Sequence, residues 1–167
     1  RSFSVSKHFP SNNVNHIICD HQGRMWVSTG DGIALFPNRN SLDYRLYNIA
    51  DGLNNSHVRA LAEDQEGNIW ASTNKGISCL VKDSSSFINF TYMDNLPMGN
   101  FNDASVTVQT NGTLIFGSTG GAARFHPKRV LAHRPSPEVL ITDALLPSRI
   151  NGKEDSIINL IGKSKLK

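Results

Sequence analysis

Six side chains are the candidates for acid–base or metal chemistry: His16, Asp20, Asp31, His57, Glu63 and Asp64. A catalytic set needs groups that converge on one reacting atom, and a metal site needs ligands at short spacing. Neither histidine has such a ligand beside it. Asp20 and Asp64 each stand three residues before a glycine, where aspartate commonly accepts hydrogen bonds in a turn. The sequence therefore predicts no catalytic residue, no metal site and no cofactor, and we expect no turnover.

A second group of polar residues is better suited to binding a ligand. Planar amides at fixed positions, with a lysine and an acid among them, suit a hydroxyl-rich or anionic sugar, since a few polar groups orient a bound molecule. The candidate ligand-binding residues are Asn13, Asp31, Asn55, His57, Asn74, Lys75, Asn100 and Asn102. Asparagine also forms loops for purely structural reasons, so a structural role for each of them stays open.

The candidates recur along the chain because the sequence itself repeats. The stretch at 64–77, DQEGNIWASTNKGI, has an earlier copy at 20–33, DHQGRMWVSTGDGI, which lies 44 positions upstream. A third, altered copy at 111–122 is offset by 45 positions at its glycine and has Ile115 in place of tryptophan. A period in the forties is typical of propeller blades or of longer helical repeats.

Local composition favours the propeller. Glycine-centred turns recur about every ten residues, with short runs rich in Val, Ile, Trp, Thr and Phe between them. No window shows helical periodicity over ten residues. The second unit is predicted to hold four strands, at 58–64, 68–73, 77–82 and 87–93. The predicted fold class is therefore all-β, a partial β-propeller of about three four-stranded blades.

The predicted organisation has three blades followed by a second β domain. The blades span 9–50, 51–94 and 95–127, residues 1–8 form the outer strand of a preceding blade, and 128–137 is a basic linker. Residues 138–167 begin a second β domain. Two extra residues are expected around the first strand of the third blade. We assume that the first strand of each blade lines the central channel. The loop that enters this strand and the turn between the second and third strands then lie on the same face of the propeller. The candidate ligand-binding residues are on these loops and turns.

Tryptophan, cysteine and charge complete the sequence-based expectations. Trp26 and Trp70 are predicted to lie buried between neighbouring sheets, because large aromatics dominate apolar burial.

Cys19 and Cys79 lack the spacing of a metal or redox pair and are predicted to be buried free thiols. The net charge is +3 and the basic residues are scattered, whereas nucleic-acid binding needs a focused basic stripe. No nucleic-acid partner is expected.

The repeats resemble a known family. The pattern GLxxxxVxxLxEDxxGxIWxSTxxGI over 52–77 is similar to the two-component regulator propeller repeat. The third unit, with LPMGNFN at 96–102, FG at 116–117 and FHP at 125–127, resembles the terminal repeat of that family. The segment PEVLITD at 137–143 resembles the opening of the immunoglobulin-like triple-tyrosine domain that follows such propellers. This resemblance implies that residues 138–167 are the start of a β-sandwich-like domain. Ile115, and Cys19 at the position of Glu63, depart from the pattern.

This resemblance implies the periplasmic sensor region of a Bacteroides-type hybrid two-component sensor histidine kinase, which detects glycan breakdown products and regulates polysaccharide utilisation. The implied partners are an oligosaccharide ligand, further propeller blades and the triple-tyrosine domain of a longer chain. Two alternatives stay open: a structural scaffold with ligand contacts elsewhere and, less favoured, part of a propeller lyase or hydrolase. Three blades cannot close a ring, so unpaired strand edges and open blade flanks predict self-association.

Overall fold

The computed structural model describes residues 9–38, 40–97 and 99–132, together with the backbone of two short strands at 143–146 and 156–159. The chain divides into two units, 1–133 and 134–167. The predicted outer strand at 1–8 lies outside the described residues. Within the described part of the chain, no helix has the length and apolar character needed to span a membrane.

Two four-stranded antiparallel sheets form the first part of unit one. In each sheet the strands are hydrogen-bonded in sequence order, as in a propeller blade. The strands of the first sheet are β1 Val14–Cys19, β2 Met25–Thr29, β3 Gly32–Phe36 and β4 Arg45–Tyr47. Those of the second are β5 Val58–Glu63, β6 Ile69–Thr73, β7 Gly76–Leu80 and β8 Phe87–Phe90. The predicted all-β propeller fold is confirmed.

The third sheet departs from the predicted four strands. It contains β9 Phe101–Val108, β10 Leu114–Ser118 and β11 Gly121–Phe125. The described chain then continues into the helix α1, Pro127–Ala132, rather than into a fourth strand. The predicted linker at 128–137 therefore begins as a helix. Val130 and Leu131 of α1 pack against the apolar core of the second and third sheets.

The first strand of the third sheet carries the predicted insertion. In the first two sheets one residue, Asn15 or Arg59, bulges from the innermost strand. In the third sheet the four residues between Phe101 and Val106 oppose Gly117 alone. The first strand thus has three unpaired residues more than its partner strand in the third sheet, and one more in each of the other two sheets. The difference confirms the two extra residues that the sequence predicted.

A 3₁₀ turn follows the outer strand of each four-stranded sheet. The turns span Ile49–Asp51 and Tyr92–Asp94, and Asn48 and Thr91 cap their N-termini in reciprocal capping boxes. The fourth strand of the second unit therefore ends at Phe90, three residues before its predicted end. The local side-chain bonds of the capping box compete here with continued strand pairing.

The core lies between adjacent sheets and includes both tryptophans, as predicted. Trp70 is 0% exposed and packs with Phe90 and Phe125 at ring-centroid distances of 5.6 and 4.9 Å. Trp26 is 2% exposed and stacks on Tyr47 at 5.9 Å. Both positions are cores between neighbouring blades.

The two cysteines have different environments. Cys79 is buried, and burial together with the charge of Asp64 raises the pKa of its thiol far above the ordinary value. Cys19 is exposed at the end of β1, so the prediction that both cysteines are buried was wrong for this one. Neither cysteine forms a disulfide.

Unit two is described only as a two-stranded antiparallel sheet. Its strands are β12 Asp143–Leu146 and β13 Ser156–Asn159, with Asp143 opposite Asn159. The strand predicted to begin at residue 138 starts at Asp143 among the described residues.

Candidate functional site

The loops that carry the candidate residues meet at one end of each blade. In blade one the amide of Gly30 donates to the carbonyl of Asn13 at 3.1 Å. In blade two Asn54 Nδ2 donates to the carbonyl of Lys75 at 3.3 Å. In blade three the amide of Thr119 donates to the carbonyl of Asn100 at 2.9 Å. The loop that enters each first strand is therefore tied to the turn between the second and third strands, as the sequence predicted.

A cleft of about 410 Å³ lies between blades two and three at this end. It brings together three of the predicted residues, Asn74, Lys75 and Asn100. The other lining residues are Gly76, Thr91, Tyr92, Leu96, Pro97, Gly99 and Phe101. The volume falls within the range of ligand pockets, and the lining combines a few polar groups with apolar walls.

The other five predicted residues do not line this cleft. Asn13 and Asp31 lie in the loops of blade one, where both are exposed. The side-chain oxygen of Asn55 accepts from the amide of His57 at 3.0 Å, which is a turn-forming role. His57 Nε2 is buried without a partner among the described residues. Asn102 is exposed on β9.

The cleft includes residues that the sequence analysis missed. Tyr92, 66% exposed, and Thr91 belong to the 3₁₀ turn after β8, which the sequence analysis had read as strand. The signal was available, because Thr91 and Asp94 match the S/T-x-x-D/E pattern of a capping box. Leu96 and Pro97 follow in the loop that enters β9.

The acidic residues considered for catalysis hold the turns and the core together. The carboxylate of Asp20 accepts from the backbone amides of Gln22 and Arg24 at 3.0 and 2.8 Å. It also accepts from Arg24 Nε at 2.6 Å and from the indole Nε1 of Trp26 at 2.8 Å. Asp64 repeats this pattern in blade two, where it accepts from Trp70 Nε1 at 2.8 Å. These carboxylates link each turn to the core tryptophan.

His16 and Glu63 join blades one and two. His16 Nδ1 accepts from the amide of Leu61 at 3.1 Å, and partial burial lowers the pKa of its imidazole. The carboxylate of Glu63 pairs with the ring of His21 and accepts from its amide. Among the described residues no group of three or more His, Cys, Asp or Glu side chains could hold a metal ion.

The acid stability of the fold is expected to depend on Asp20. Burial raises the pKa of this carboxyl, but the hydrogen bonds from Trp26 and Arg24 and the charge of Arg24 outweigh it, so the pKa lies below 3.8. A depressed pKa adds stability that is present above the unfolded value and is lost as pH falls through the folded value. Asp20→Asn should cost about 1–3 kcal/mol near neutral pH, and this difference should shrink below about pH 4.

Urea unfolding across a pH series, followed by tryptophan fluorescence, measures the difference. Asp43→Asn, at an exposed aspartate, is the matched control, and its free energy of unfolding should follow that of wild type at every pH. A constant difference between wild type and Asp20→Asn from neutral to acid pH would contradict the assignment.

A second cleft, of about 390 Å³, lies at the opposite end of blades one and two. Arg24 lies over the ring of Trp26 at 5.3 Å, and Arg45 lies over that of Tyr47 at 4.4 Å. Both arginines also pair with carboxylates. The charges of the two arginines are compensated within the protein, and the other charged lining residues, Lys82 and Asp83, have opposite signs, so this cleft is the weaker ligand-site candidate.

Comparison with known proteins shows similarity to proteins of two-component systems. A two-component regulator propeller family matches residues 8–31 and 52–75. The extracellular domain of the hybrid two component system BT3049 from B. thetaiotaomicron is 38% identical with a TM-score of 0.78, over 95% of this chain and 22% of that one. The extracellular domain of the hybrid two component system BT4673 from the same organism is 25% identical with a TM-score of 0.60, over 71% of this chain and 17% of that one.

A more distant likeness concerns the fold alone. A streptogramin B lyase structure is 17% identical with a TM-score of 0.52, over 74% of this chain and 44% of that one. No match to the curated proteins was found. The chain spans about a fifth of the length of the two-component structures that it matches.

Proposed function

Because this chain carries two-component regulator propeller repeats, we propose that it is part of the sensor region of a hybrid two-component receptor. The proposed location is the periplasm or the cell exterior, which is supported by the extracellular neighbours. The proposed activity is the binding of oligosaccharides released by glycan breakdown. The proposed partners are that ligand and the further blades and triple-tyrosine domain of a longer chain.

The observation that supports binding is the cleft between blades two and three. Asn74, Lys75 and Asn100 come from two different blades and meet at its rim. Hydrogen bonds hold the backbone of Lys75 and of Asn100, and the side chain of Asn74 is held by Arg59. Fixed amides and an ammonium group beside apolar walls suit a ligand with many hydroxyl groups.

Catalysis has less support than binding. The carboxylates of Asp20 and Asp64 are buried and bonded to turn amides and indoles, which leaves them unsuited to exchange protons with a substrate. The likeness to a lyase is limited to the fold. The proposed role is therefore recognition without turnover.

A scaffold role is the second candidate. In that case these blades support a ligand site built by other blades. The exposed apolar side chains of Val14 and Ile17 on β1, 45% and 53% exposed, support contact with further blades or with a second copy of this chain.

Substitution of the cleft amides separates the two candidates. We expect Asn74→Ala and Asn100→Ala each to weaken oligosaccharide binding by a factor of about 3–10, the worth of one hydrogen bond. Screening a labelled oligosaccharide library, then titrating the best ligand by calorimetry, measures this effect. Gln22→Ala, at an exposed turn on the opposite end, is the control and should bind as wild type. Ligand binding that is indifferent to all three substitutions would favour the scaffold.

A further inference from the structure

We propose that the cleft between blades two and three selects an acidic sugar, whose carboxylate is held by Lys75 and Asn74 while its ring lies against Tyr92. This inference rests on the proposed function and deepens it by naming the ligand class. The carboxylate belongs to a uronic acid unit of an oligosaccharide.

The charge of the cleft supports an anionic ligand. Among the described lining residues, Lys75 is the one with a permanently charged side chain, and no carboxylate lines the cleft. Its ammonium group makes no ion pair within 4.0 Å among the described residues. Its backbone is held on both sides, because its amide donates to Thr73 Oγ1 at 3.0 Å and its carbonyl accepts from Asn54 at 3.3 Å. The backbone of Lys75 is thus held in place, and its ammonium group is not compensated by a carboxylate among the described residues.

The second donor is the side-chain amide of Asn74, whose orientation is fixed by a hydrogen bond from Arg59. Arg59 Nε donates to Asn74 Oδ1 at 2.9 Å, and Arg59 Nη1 donates to Asp103 Oδ1 at 2.9 Å. Asp103 on β9 thereby anchors the arginine, and the arginine occupies the acceptor side of the amide. The Nδ2 group of Asn74 then remains as the donor that a ligand can use. Arg59 and Asp103 act as positioning residues.

The rest of the lining suits a sugar ring. Tyr92 is 66% exposed, and its aromatic face is available to the C–H face of a pyranose. Leu96 and Pro97 supply an apolar wall. The backbone amide of Asn100 donates to Thr119 Oγ1 at 3.2 Å, which holds the loop that places Asn100 in the lining of the cleft, where its side-chain amide suits ring hydroxyls.

A carboxylate fits this donor set better than a hydroxyl group does. An ionised carboxylate is an acceptor only, with two oxygens, and it complements one ammonium and one amide donor. Charge-assisted hydrogen bonds of this kind are roughly twice as strong as neutral ones. We therefore expect an acidic oligosaccharide to bind at least about tenfold more tightly than the same molecule with its carboxyl groups reduced to alcohols.

The test compares matched acidic and neutral ligands. The probes are short unsulfated uronate oligosaccharides from pectin, alginate and hyaluronan digests, each with its carboxyl-reduced counterpart, together with a neutral oligosaccharide library. Binding to the purified chain is measured at low and high salt. Lys75→Met should remove the preference for the acidic form and the salt dependence of its binding. Lys82→Met, on the same blade but lining the opposite cleft, is the matched control and should keep both.

The possible outcomes distinguish this inference from the function on which it rests. Tight binding of an acidic probe, lost on carboxyl reduction and in Lys75→Met but kept in Lys82→Met, supports the inference. Equal binding of reduced or neutral sugars, or loss of binding in Lys82→Met, overturns it and leaves the sensor proposal standing. Binding of no probe at all overturns both this inference and the proposed oligosaccharide binding, and favours the scaffold role.

Discussion

Replacing Trp70 with alanine is expected to lower the free energy of unfolding by about 3–5 kcal/mol, the usual cost of removing a large aromatic from a core. Trp70 is fully buried. Its ring packs on Phe90 of its own blade at 5.6 Å and on Phe125 of the next blade at 4.9 Å. The substitution therefore opens a cavity between two sheets as well as within one.

The substitution also removes a hydrogen bond. Trp70 Nε1 donates to Asp64 Oδ2 at 2.8 Å, and this carboxylate also accepts from Asn68 Nδ2 at 2.8 Å. Trp70→Phe keeps most of the ring packing and loses this bond, so its cost should fall between wild type and alanine. Ile115→Ala, at the equivalent position of blade three, should cost less because Ile115 is only partly buried.

Thermal and denaturant unfolding of the three variants measures these costs. Far-UV circular dichroism confirms that each variant folds before its stability is compared. An unchanged melting temperature in Trp70→Ala, together with a loss of oligosaccharide binding, would show that Trp70 is a ligand residue and not a core residue.

The fold could be predicted because its signals are local and repeated. Glycines at the hairpin turns have positive φ, for example +76° at Gly23 and +85° at Gly67, and side chains other than glycine rarely adopt such values. Each turn glycine marks the boundary between the first and second strands of a blade. Three copies at nearly constant spacing then identify the blade as the repeating unit.

The candidate site could be predicted only in part, because it depends on which loops meet across a blade boundary. The loops holding Asn74, Lys75 and Asn100 were expected at one end of the blades, and there they lie. Tyr92 was missed because a turn held by side-chain bonds interrupts an apparent strand. The link from Asp103 through Arg59 to Asn74 spans two blades, and no pattern within one repeat encodes it.

The repeat pattern also did not predict which individual strand residues are buried. Cys19 occupies the repeat position of Glu63, and Glu63 reaches back to His21 in the preceding blade. The exposure of this position depends on the neighbouring blade and not on the residue's own strand. Cys79, in the third strand of its sheet, is covered on both sides and is buried as predicted.

Gly76→Ala should destabilise the protein by clearly more than Gly121→Ala, although the two glycines occupy the same position of successive blades. Their φ angles are similar, +124° and +131°, so an added Cβ strains both backbones, at about 1–3 kcal/mol each. A Cβ on Gly76 would also lie 2.1 Å from the carbonyl oxygen of Phe90 on the outer strand β8.

A Cβ on Gly121 meets nothing within 4 Å among the described residues, since the third sheet has no fourth strand there. The clash at Gly76 cannot be relieved by a side-chain movement, because the atom it meets belongs to the backbone. Relief requires β8 to separate from β7, which breaks strand pairing and uncovers Trp70 beside Phe90. Denaturant unfolding of the two variants, with hydrogen exchange at the amides of β7 and β8, measures both effects. Equal costs for the two substitutions would mean that a fourth strand covers Gly121 in solution, and blade three would then match the other two.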